Sequence, residues 1–299
     1  TLADGIGGAQ KACLYFAGHP EFEGGGTLNV IGNTKHAISA KEYLELKEST
    51  GTINVTGAVS DGIHCGRGKI NNGNNYFEIN GGTVNISGVG SDCIDSDDYG
   101  CMKIKGGTLN LTVSALGGAG LKCDSILNMK DGKVNITLTG EDAEGIRCNY
   151  LAKFKDGDID ITNSGTGSKG IKLKKEISGT VLNGGNAEFS GTDVEITLLG
   201  ATALDGSRCM GINVDENMSI IDGDIALKRY GNQVKSHNVK GTLAISETGR
   251  MILRGNHYTP NTTAQHNMTV YAKARRLGLP VNDYANLHIG AYQGTVCKG

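Results

Sequence analysis

The chain has 299 residues, a formal net charge of -2, 47 glycines, 3 prolines and no tryptophan. Near-neutrality excludes a bulk field that would draw nucleic acid, and an aromatic content of 5% excludes a large aromatic core. No apolar run reaches the roughly 18 residues that a membrane helix needs, and glycine at about twice the usual share, without a collagen period, points to many turns.

In chain order, residues 1–25 are irregular and read as a cap. A pattern then starts in which glycine precedes a polar residue, an aliphatic, a polar residue and an aliphatic. It occurs as Gly26-Thr-Leu-Asn-Val30, Gly51-Thr-Ile-Asn-Val55, Gly82-Thr-Val-Asn-Ile86, Gly107-Thr-Leu-Asn-Leu111, Gly132-Lys-Val-Asn-Ile136 and Gly157-Asp-Ile-Asp-Ile161. The intervals are 25, 31, 25, 25 and 25 residues. Looser copies follow at Gly191 and Gly223. Each copy holds a second alternating element, as at Ile38/Ala40, Ile63/Cys65, Ile94/Ser96, Leu121/Cys123, Ile146/Cys148 and Ile171/Leu173. A third precedes the next glycine, as at Leu44/Leu46, Phe77/Ile79, Met102/Ile104 and Leu127/Met129.

Three period-two strands per repeat, with no helical period, predict an all-β right-handed parallel β-helix of about 25 residues per coil. Coils stack about 4.8 Å apart, so eight make a column of roughly 40 Å. Each coil buries its ladder only against its neighbours. Residues 1–245 are assigned to the β-helix and 246–299 to a C-terminal capping segment of the same domain. Within that segment 256–265 reads as a polar loop, 272–279 as a short helix, and 251–253 and 287–292 as strands. A monomer is expected.

Outward positions form ladders too. Asn29, Asn54, Asn85, Asn110 and Asn135 lie between aliphatics, so their amides can hydrogen-bond along the column or meet a glycan. Cys65, Cys123 and Cys148 share an inward position with Ala40, Ser96 and Leu173, where cysteine acts as a small buried hydrophobe. The seven histidines show no metal-ligand spacing, although His64 takes a ladder position.

Two constellations carry chemistry. Around the third coil, Asp92, Asp95, Asp97 and Asp98 stand together, Asp61 aligns one coil below and Asp124 one coil above. Uncompensated carboxylates repel, and calcium with oxygen ligands is the usual remedy; a solvated acidic turn is the alternative. Beside them runs a basic ladder, Lys122, Arg147, Lys172 and, past Asn213, Lys235. A polyanionic chain laid along the column would neutralise it, with Arg suited to bidentate carboxylate contact; Glu144 could do so internally. Tyr99 and Tyr150 follow the same turn two coils apart and are candidates for sugar stacking.

The strings Thr1-Leu-Ala-Asp-Gly5, Gly26-Thr-Leu-Asn-Val30, Ser60-Asp-Gly-Ile-His64, Ser91-Asp-Cys-Ile-Asp-Ser96 and Ser168-Lys-Gly-Ile-Lys172 resemble a bacterial carbohydrate-binding domain family with a polysaccharide-lyase-like β-helix. The resemblance covers roughly residues 1–245. It implies a secreted or surface-attached protein that binds polysaccharide or oligosaccharide, with bound calcium. Asp61 and Asp92 match the family's turn aspartate. Ala119, Glu144 and Lys169 depart from it, which weakens the calcium expectation in later coils. Two other readings stay open: a calcium-dependent polysaccharide lyase acting by β-elimination, for which no base is defined, and a structural or adhesin column.

Overall fold

The computed structural model describes residues 1–66, 75–97, 99–175 and 184–255, and the backbone of the strand Met268–Val270. The chain winds as a right-handed parallel β-helix with three sheets of ten, nine and ten strands, each in simple chain order. One coil shows the plan. Thr108–Val113 lies in the first sheet, Ala119–Cys123 in the second and Ile126–Met129 in the third. Every strand pairs in parallel with its equivalents one coil before and after.

Alternation decides what points inward. In the first sheet Ile53, Val84, Leu109, Val134, Ile159, Val194 and Ile225 form one buried ladder. In the second, Ala40, Cys65, Ser96, Cys123, Cys148, Leu173, Val214 and Val239 form another. The seven described cysteines are free thiols, as the ladder position of three of them predicted; Cys297 lies outside the described residues. In the third sheet Phe154 and Phe189 stack at 4.7 Å between ring centroids. Identical shapes one strand spacing apart fill the interior without large aromatic clusters.

The repeat glycines sit where the chain leaves the third sheet for the first. Gly26, Gly82, Gly107, Gly132 and Gly157 take positive φ, a region that disfavours a Cβ; Gly51 does not. The asparagine ladder forms as expected. Each Nδ2 donates to the Oδ1 one coil earlier, from Asn54 to Asn29, Asn85 to Asn54 and Asn135 to Asn110 at 2.7 Å, and from Asn110 to Asn85 at 2.8 Å.

Residues 1–25 do more than cap. Leu2–Ala3, Ala12–Phe16 and Glu21–Phe22 pair with all three sheets and make a first coil. At the other end Arg250–Gly255 adds a tenth strand to the first sheet and Met268–Val270 one to the third. The expected loop at 256–265, the helix at 272–279 and the strand at 287–292 lie outside the described residues.

Candidate functional site

The second sheet carries the charged face. Its inward aliphatics fix the next residue as outward, which builds the column Ser39, His64, Asp95, Lys122, Arg147, Lys172, Asn213 and Asn238. A second column precedes it: His36, Asp61, Asp92, Ala119, Glu144, Lys169, Met210 and Lys235. A third follows it, with Asp97, Asp124, Asn149, Lys174, Asp215 and Lys240 on successive coils. Lys235 therefore does not continue the basic ladder as expected. His237, not an aliphatic, holds the core position of that coil and is 6% exposed. This moves Lys235 to the column of Glu144 and Lys169. Its Nζ still reaches across to Asn238 Oδ1 at 2.9 Å.

The acidic cluster divides in two. Asp61, Asp92 and Asp95 come together, each offering an oxygen within 4.8 Å of the others. They are buried rather than solvated, and Asp95, although outward in register, is only 4% exposed beneath its neighbours. Lys122 Nζ lies 3.2 Å from Asp92 Oδ2 and 3.3 Å from Asp95 Oδ1. His36 Nδ1 lies 3.0 Å from Asp61 Oδ2, and His64 Nδ1 lies 3.4 Å from Asp61 Oδ2 and 3.5 Å from Asp95 Oδ2. The carboxylates also tie coils together: Asp92 N–H donates to Asp61 Oδ1 at 3.1 Å, and Ala119 N–H to Asp92 Oδ1 at 2.7 Å.

These contacts shift the titrating groups. Burial alone would raise Asp61, but His36 and His64 outweigh it and hold the carboxyl well below the usual range. Burial would lower His64, but Asp61 and Asp95 overcome it and push the imidazole up to about 9. Asp92 is pushed up to about 6, by burial first, against the pull of Lys122. Burial would lower Lys122 too, yet Asp95 and Asp92 hold it above its ordinary range.

Asp97 and Asp124 form the other half. Stacked one coil apart, they share a hydrogen bond, and burial followed by Asp97 pushes Asp124 up to about 7. Asn149 Nδ2 donates to Asp124 Oδ1 at 3.0 Å. Asp98 lies outside the described residues.

As a fit for calcium the two halves differ. Calcium takes six to eight oxygens. Around Asp61, Asp92 and Asp95 the oxygens already face two imidazoles, one ammonium and two backbone amides. Among the described residues no Lys, Arg or His nitrogen pairs with Asp97 or Asp124 within 4.0 Å.

Further along, Lys172 pairs with Glu144, and Arg147 Nε lies 3.7 Å from Glu144 Oε2. Lys169 donates to the Gly167 carbonyl and lies 4.0 Å from Asp142. Burial and then Lys172 hold Lys169 below the ordinary lysine range; burial and then Arg208 do the same to Lys235.

Tyr99 and Tyr150 do not form a platform. Cys101 aligns with Ile126 and Ile126 with Leu151, so Tyr150 stands over Gly100. Tyr99 sits in the extra residues of its turn at φ 64°. The aromatic ladder that does form is elsewhere, on the outer face of the third sheet. His19 and Tyr43 stack at 4.6 Å, Tyr43 and Tyr76 stack at 4.6 Å, and Lys103 Nζ covers Tyr76 at 3.3 Å from its centroid. Rings stacked on each other turn their edges to solvent, so the faces a sugar would need are occupied.

A parallel β-helix with one densely charged outer sheet is thus the class of molecule that the chain forms. The sequence model of a family described as "Carbohydrate-binding domain-containing protein" matches residues 3–238, and the chain belongs to that family. No curated protein and no solved structure matches it. Carbohydrate binding is the function that this membership assigns.

Proposed function

We propose that the chain binds an acidic, uronate-containing polysaccharide along the basic half of the second sheet's outer face, from Lys122 through Arg147 and Lys172 to Lys235. One observation carries this reading: Lys169 and Lys235 are partly buried cations whose carboxylate neighbours do not offset burial and the adjacent positive charge. Successive uronate carboxylates would supply an anion to each, the two lysines standing two coils apart with Met210 between them. Arg147 and Lys172 flank the same strip, and the step from coil to coil is about 4.8 Å, so anionic groups along an extended glycan meet cations repeatedly.

Calcium belongs to the proposal at Asp97 and Asp124, where burial and the stacked Asp97 carboxyl push Asp124 up. A calcium ion held there, with water completing its shell, extends the positive strip toward the acidic coils. An exported, surface-exposed location follows from a polysaccharide ligand and is part of the same proposal.

The test is calorimetric titration of the whole chain with polygalacturonate, with and without EDTA, following ultraviolet absorbance for unsaturated product. Saturable heat that weakens with added salt and in Lys169→Gln/Lys235→Gln is expected, with no absorbance rise. Binding that ignores salt and both substitutions would overturn the acidic-glycan reading; a steady absorbance rise would reassign the chain as a lyase.

A further inference from the structure

His36, Asp61 and His64 converge on one point. The two imidazoles come from successive coils and stack at 4.4 Å with 11° between planes. Stacking in register turns both Nδ1 atoms toward the same carboxylate oxygen, Asp61 Oδ2, at 3.0 and 3.4 Å. Asp95 Oδ2 stands 3.5 Å from His64 Nδ1. We propose that His36, Asp61 and His64 form a binding site for a borderline divalent ion such as Zn²⁺, with Asp95 or a water molecule at the fourth position.

Three observations support this. First, the separations suit the ion. Zinc bonds of about 2.0–2.1 Å to nitrogen and carboxylate oxygen give a tetrahedron whose edge is roughly 3.3 Å. Three of the six edges, at 3.0, 3.4 and 3.5 Å, bracket that value, and the ligand atoms of His36, Asp61 and His64 all lie within 4.8 Å of one another.

Second, the groups are in want of a partner. His64 Nδ1 and Asp95 Oδ1 are buried atoms without a hydrogen bond of proper geometry, although charged neighbours lie close. The Asp95 side chain is only 5% exposed. His36 Nδ1 faces both the Asp61 carboxylate and the Asp61 N–H, the latter at 3.4 Å. One ring nitrogen cannot serve as donor to the first and acceptor from the second, whereas metal coordination uses its lone pair directly.

Third, the charge balances. Asp61, Asp92 and Asp95 bring three negative charges and Lys122 one positive charge. A single divalent ion neutralises the remainder with both imidazoles neutral, the form in which they coordinate metal. Nitrogen donors favour zinc and its first-row neighbours over calcium. Lys122 lies against Asp92 and Asp95, and its Nζ donates to Asp95 Oδ2 at 3.3 Å, so that oxygen would serve both lysine and metal where Asp95 takes the fourth position.

Such an ion would add a clamp between two successive coils. The test uses the full chain stripped of metal and titrated with Zn²⁺ and, for its visible spectrum, Co²⁺. A single tight equivalent is expected, with tetrahedral cobalt bands and a raised unfolding midpoint. Excess calcium should not displace it. His36→Gln and His64→Gln, checked for folding by circular dichroism, should each lose the bands and the shift, while Asp124→Asn keeps both. Absorption at the zinc edge tests the wild-type chain without any variant: a shell of nitrogen and oxygen with two imidazoles is expected. No uptake, a sulfur shell from the free cysteines, or uptake unchanged in both histidine variants would each overturn the proposal.

Discussion

His36 and Asp61, a full coil apart in sequence, meet at 3.0 Å between Nδ1 and Oδ2, with side chains only 4% and 7% exposed. Asp61 also accepts from the Asp92 backbone and faces His64, so one carboxylate joins three coils. Asp61→Asn removes the negative charge and leaves buried imidazoles facing an amide. Breaking a buried ion pair by removing one partner costs about 3–5 kcal/mol, and chemical denaturation of the metal-free chain should show a loss of that order.

The same pair sets a pH window. Asp61 is held low in the folded state, so its contribution is present above the ordinary carboxyl range and is lost as pH falls through the folded value. His64 is pushed up to about 9. Its contribution is complete below the unfolded histidine value of about 6.5 and is lost as pH rises to the folded value. Stability should therefore decline from near neutrality toward pH 9 in the metal-free chain. In His64→Gln that alkaline decline should be largely absent.

Asp124 is shifted in the direction opposite to Asp61. Its folded value of about 7 exceeds the unfolded value, so the folded state holds the proton more tightly and stability falls as pH rises across that interval. Asp124→Asn removes the penalty. In EDTA at pH 8 the variant should melt above the wild type, and at pH 4 the two should converge. Added calcium should narrow the gap by stabilising the wild type alone, and an unchanged gap would count against calcium at Asp97 and Asp124.

The amide ladder makes a graded prediction. Asn85 both donates to Asn54 and accepts from Asn110, whereas Asn29, at the start, only accepts from Asn54 within the ladder. At about 1 kcal/mol per bond, Asn85→Ala should cost roughly twice as much as Asn29→Ala in urea unfolding. Equal costs would mean that the bonds along the ladder are replaced by water without loss.

Gly145 tests how closely the coils approach. A Cβ there would lie 2.3 Å from the Gly170 carbonyl oxygen and 3.2 Å from Ile161 Cδ1. The oxygen belongs to a backbone paired on both sides and cannot yield locally. Gly145→Ala should lower the unfolding midpoint more than Gly117→Ala, although Gly117 has a positive φ, because nothing lies within 4 Å of a Cβ there.

The fold was legible because its rule is local and repeated. Gly107-Thr-Leu-Asn-Leu111 and its copies state which side chains enter the core, and a constant interval states which ones stack. The site was legible only where that interval held. Asp61, Asp92 and Asp124 found their neighbours by counting coils, and so did Lys122, Arg147 and Lys172. Lys235 was misplaced because His237, a polar residue, occupies a core position that pattern reading reserves for aliphatics. His64 was placed on a ladder, but its convergence with His36 was missed because 28 residues separate them, one coil and three more, which resembles no local ligand motif. Tyr43 and Tyr76 were missed for a related reason: 33 residues separate them, one coil of 25 and eight more. The insertion at Tyr99 broke its alignment with Tyr150 in the same way.

Most irregular lengths fall in the turns; register shifts inside strands occur after Val30 and after Phe189, near strand ends. Residues 107–131 and 132–156 superpose strand for strand in all three sheets. A molecule organised this way is extensible: a whole coil can be copied and spliced beside its parent, and the new one finds the same ladders above and below. A single residue added inside a strand has no such freedom, because it turns every later side chain of that strand to the opposite face. Surface chemistry can therefore be lengthened or recombined in units of one coil, with the interior acting as a fixed ruler.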